Sequence, residues 1–85
     1  MPIVSGKVVD AETGRPIPYA IVELDTNVTY TDVNGNFSIN VNPGEYTLRV
    51  RHAMYRPYTT RITVTGPVSL RIQLVRAIIW RSRYY

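Results

Sequence analysis

Eighty-five residues suffice for one domain with a single hydrophobic core and exclude two. Cysteine is absent, which excludes disulfides and thiolate metal sites, and no run of about 18 apolar residues is present to span a membrane as a helix. The net charge of +4 is unevenly split: residues 1–45 hold all six acids and two bases, whereas residues 46–85 hold eight arginines and no acid.

Apolar and polar residues alternate with a period of two, the signature of half-buried strands. The first apolar stretch, residues 3–9, contains Gly6 and stops at the turn-forming "DAETGRP". In "YAIVELD", Ala20, Val22 and Leu24 share one face while Glu23 and Asp25 take the other. A short extended piece, "VTYT", leads to "DVNGN", where Asn34-Gly35 predicts a tight hairpin turn because both residues tolerate positive φ. "FSINV" follows with Phe37, Ile39 and Val41 inward, and "NPGE" turns the chain again. Tyr46, Leu48 and Val50 then face opposite to Thr47, Arg49 and Arg51. "HAMYRPY" reads as a loop or corner, "TRITVT" places Ile62 and Val64 inward, and "VSLRIQLV" does the same for Val68, Leu70, Ile72 and Leu74. Seven short strands without a helical segment predict an all-β antiparallel sandwich.

Several motifs occur in order along residues 5–50. They are Gly6 and Val8, Asp10, the "TGRP" turn at 13–16, "AIVEL", "TDVNGNF" at 31–37, and "PGEYTLRV" at 43–50. Together they resemble the carboxypeptidase regulatory-like family of transthyretin-like sandwich domains over residues 3–75. The resemblance implies a seven-stranded Greek-key sandwich and a scaffold or interaction role without catalysis. Such modules are mostly attached to peptidases, outer-membrane receptors or surface proteins, so an extracellular or cell-surface location is expected. The opening residues do not read as a secretory signal, which fits either a cytoplasmic protein or a mature piece of an exported one. Met54-Tyr55 stands where the family usually shows Gly-Tyr. The segment 76–85, "RAIIWRSRYY", lies outside the pattern and reads as an extension to a domain spanning 1–75.

His52 is the single histidine, too little for a nucleophile–base–orienter set, so no catalytic residue and no cofactor are expected. Relatives of this fold that hydrolyse hydroxyisourate depend on several histidines. Asp32, Asn34 and Asn36 imitate the start of a calcium loop, but loop positions six and twelve are Phe37 and Pro43, so no metal site is expected. Arg49, Arg51, Arg61 and Arg71 all face outward in their strands and are candidates for binding an acidic glycan or other polyanion. No aromatic alternates with them, which argues against a base-stacking platform for nucleic acid. Tyr30, Tyr55 and Tyr58 are candidates for binding a neutral carbohydrate. At Ala77, Ile78, Ile79 and Trp80 both strand parities become apolar, as in a strand covered on two faces. That tail either folds back on its own sandwich or adds to an open sheet edge of another copy or a partner. The expectation is a homo-oligomer or polymer, or a subunit of a surface or filamentous assembly, with contacts through sheet edges and the tail.

Overall fold

The computed structural model, which describes residues 1–77, contains seven strands. These are β1 (Ile3–Asp10), β2 (Ile21–Leu24), β3 (Asn27–Tyr30), β4 (Asn36–Asn40), β5 (Gly44–His52), β6 (Tyr55–Val64) and β7 (Val68–Leu74). They form a three-stranded sheet ordered β4-β1-β7 and a four-stranded sheet ordered β3-β2-β5-β6. Four of the five strand pairings are antiparallel, as the alternation predicts. The fifth, β1 with β7, is parallel. A parallel pair needs a long crossover connection, and the five intervening strands supply it.

Apolar residues from both sheets meet in one core, including Val8, Val22, Leu24, Leu48, Val50 and Leu74, each at most 1% exposed. The inward sets read from alternation are the ones that pack there. Gly6 sits opposite Phe37 on one side and Leu70 on the other. A Cβ at Gly6 would lie 2.6 Å from the Leu70 carbonyl oxygen and 2.9 Å from the Phe37 ring, so the missing side chain is what lets that ring pack inward.

Two turns differ from expectation. The two-residue hairpin joins β2 to β3 through Asp25 and Thr26, with Asp25 at φ 53° and its Oδ1 accepting the Thr47 N–H. The Asn34-Gly35 turn joins no hairpin, because β3 and β4 belong to different sheets. Only Gly35 has positive φ there (77°). The turn is held by Asp32, whose Oδ1 accepts the N–H groups of Asn34 (2.8 Å) and Asn36 (2.9 Å). Gly35 packs directly on β1, where a Cβ would meet the Val8 carbonyl oxygen at 2.6 Å. The predicted loop "HAMYRPY" also shortens, since β6 begins at Tyr55 and includes Pro57. β6 is an edge strand, where a residue without an N–H is tolerated.

Candidate functional site

Three of the four outward arginines share the outer face of the four-stranded sheet, and Arg71 does not. Arg49 and Arg51 lie on β5 and Arg61 on β6, whereas Arg71 lies on β7 beside Lys7 in the other sheet. The shared face is mixed in sign. Arg51 pairs with Glu23 at 3.2 Å, Arg61 pairs with Glu45 at 3.0 Å, and Arg49 stands opposite Glu23 in the β2–β5 register. Two carboxylates interleaved with three guanidinium groups leave little positive field for a polyanion. Alternation identified the outward residues, but only the strand order reveals that the acids of β2 and β5 lie among them.

Beside Arg51 a cleft of about 440 Å³ is lined by Tyr19, Ile21, His52, Ala53 and Pro57. Its histidine is occupied structurally: Nδ1 accepts the Met54 N–H at 3.1 Å and closes the β5–β6 connection. The imidazole also meets the Tyr55 ring edge to face, with centroids 5.4 Å apart. A ring nitrogen accepting from backbone is not aimed at a nucleophile.

The best-satisfied polar cluster lies at the end of β1. Asp10 follows the inward parity of Val8 and is 4% exposed. Its Oδ1 accepts the N–H groups of Glu12 (2.8 Å) and Thr13 (3.1 Å), and its Oδ2 accepts the Tyr55 hydroxyl at 2.8 Å. The Tyr55 hydrogen bond, followed by the two backbone donors, holds the Asp10 carboxyl below the usual carboxylate range. Burial, and then the Asp10 carboxylate, push the Tyr55 phenol above its ordinary value. Tyr55 is therefore a tie between loop 11–16 and the β5–β6 hairpin, not an open sugar platform. Tyr30 is 59% exposed and Tyr58 37%. The sequence signal for the tie was an acid at an inward position, which needs a buried partner.

A second pin is Thr31, 2% exposed. Its Oγ1 donates to the Ile17 carbonyl (2.7 Å) and accepts the Ala20 N–H (2.8 Å), fixing the connection into β2. Gly6, Asp10, Thr31, Gly35 and Phe37 thus each have a packing or hydrogen-bonding reason to be where the sequence pattern has them.

The family pattern of the carboxypeptidase regulatory-like domain matches residues 3–75. The chain belongs to that family. Among curated proteins this regulatory-like domain is 41% identical over 63 residues to "Structural protein 27" of a virus (isolate Australia/Victoria). That match covers 74% of this chain and 12% of the viral protein. Among solved structures it resembles a chain of a type II cohesin–X-dockerin complex from Acetivibrio cellulolyticus, with 28% identity and a TM-score of 0.74. The resemblance covers 89% of this chain and 58% of that one. A DUF3823 family protein from Parabacteroides merdae shares the fold at 14% identity and a TM-score of 0.70, over 88% of this chain and 46% of its own.

At its C-terminal end the regulatory-like domain changes sheets. After β7 the chain crosses to the edge of the four-stranded sheet, where the Arg56 N–H donates to the Val75 carbonyl (2.8 Å) and the Ala77 N–H donates to the Met54 carbonyl (3.0 Å). Arg76 bridges to Tyr55, its guanidinium carbon 5.8 Å from the ring centroid. Of the four apolar tail residues, Ala77 is placed by these bonds, and Ile78, Ile79 and Trp80 lie outside the described residues. Among the described residues no helix is long and apolar enough to cross a membrane.

Proposed function

We propose that this domain is a non-catalytic structural module that joins copies of itself, or a larger surface protein, through open sheet edges and the segment 76–85. The observation that carries the reading is the change of sheets after Leu74. It adds residues 75–77 to the β6 edge and leads the sequence on into Ile78, Ile79 and Trp80. In sequence, an apolar run that directly follows residues placed on a sheet edge suits strand addition to a neighbour. The name of the viral relative, a structural protein, supports the same direction. So does the use of Asp10, Tyr55, His52 and Thr31 in holding connections together. An extracellular or cell-surface location accompanies this reading.

Light scattering of the full chain over a concentration series tests it, beside the double variant Ile78→Asp, Ile79→Asp. The expected result is a mass that grows with concentration for the native chain and stays near 9.7 kDa for the variant. Unchanged assembly of the variant would remove the tail from the account.

A further inference from the structure

The sandwich has two flanks, each made of one edge strand from each sheet: β3 beside β4, and β6 beside β7. Among the described residues, the outer backbone edges of these strands have no partner strand, apart from the start of β6, where residues 75–77 lie. Unpaired edges that are not defended invite strand pairing.

Chain order sends opposite charges to the two flanks. Residues 25–42, which hold β3, β4 and their turns, contain Asp25 and Asp32 and no base. Residues 55–76, which hold β6 and β7, contain Arg56, Arg61, Arg71 and Arg76 and no acid. The acidic flank also carries a shallow, open depression between β3 and β4, lined by Thr29, Tyr30, Asp32, Asn36, Phe37 and Ser38. Beside it Val28 and Tyr30 are 54% and 59% exposed. On the arginine flank Arg56, Arg61 and Arg71 are exposed, and among the described residues only Arg61 of the three pairs with a carboxylate.

We propose that the acidic β3/β4 flank of one copy seats the arginine-bearing β6/β7 flank of a second copy. This rests on the assembly reading above and names its surfaces. The two surfaces differ, so the contact is heterologous. Each added copy leaves its own acidic flank free, and the chain of sandwiches grows head to tail. Charge sets the pairing of flanks, while the unpaired N–H and C=O groups of facing edges and the exposed Val28, Tyr30 and Tyr58 supply contact.

Two triple variants of the 85-residue chain test the proposal by sedimentation at low salt, with circular dichroism confirming the β fold of each. Val28→Lys, Ser38→Lys, Asn40→Lys makes both flanks basic. Arg56→Glu, Arg61→Glu, Arg71→Glu makes both acidic. Each alone should associate about 100-fold or more weakly than the native chain, because like charges then face each other. An equimolar mixture should restore assembly, and about 1 M salt should weaken the native contact. Native-like assembly of either variant alone, or a mixture that stays monomeric, would overturn the proposal. If the tail variant abolishes assembly while both charge variants assemble normally, the flank pairing fails and the assembly reading stands. A native chain that is monomeric throughout removes both.

Discussion

The loop end of the sandwich and the outer face of its four-stranded sheet are both rich in polar groups, yet they use them differently. At the loop end, Thr31 and Asp10 are almost wholly buried, and each makes hydrogen bonds that join segments distant in sequence. On the outer face, the Arg51 and Glu23 side chains remain 47% and 25% exposed, and those of Arg61 and Glu45 66% and 70%. A buried polar group that loses its partner bears the full desolvation cost, whereas an exposed ion pair exchanges protein for water at little loss. The first region therefore fixes the fold, and the second contributes little to it.

The largest effect that sharpens this contrast is expected from Thr31→Val. Valine keeps the shape but leaves the Ile17 carbonyl and the Ala20 N–H unsatisfied. The loss should be about 2–4 kcal/mol in denaturant unfolding, and a loss below about 0.5 kcal/mol would break the contrast. A smaller effect is expected from Tyr55→Phe, read through pH. Asp10 is held below its unfolded pKa, so its stabilisation is present above about pH 4 and is lost as pH falls through the folded value. Removing the Tyr55 hydroxyl should flatten that acid limb of the stability profile. Tyr55 itself is raised, so its share is present below about pH 10 and is lost as pH rises through the folded value. An acid limb identical in the variant would contradict the tie. The smallest effect belongs to Arg51→Ala, where a double-mutant cycle with Glu23→Ala should give about 1 kcal/mol or less of coupling.

The fold was largely legible because period-two alternation reports directly on a sheet with one buried face. Ala20, Val22 and Leu24, or Leu48 and Val50, could be placed inward without knowing their partners. What alternation does not carry is pairing. Asn34-Gly35 has hairpin chemistry, but its neighbours belong to different sheets, and Gly35 answers instead to its close approach to Val8. The start of β6 was hidden by Pro57, which an edge strand accepts and a central one does not. Asp10 and Tyr55 are 45 positions apart, so their bond follows from topology alone. The same holds for the arginines. Their outward direction was readable, but their distribution over two sheets and the acids between them depend on the strand order.

Sedimentation of the native 85-residue chain at low salt over a wide concentration range decides whether this domain works by assembling. The expected result is a weight-average mass that rises steadily with concentration above the 9.7 kDa of one chain. A single species of 9.7 kDa at every concentration would contradict it.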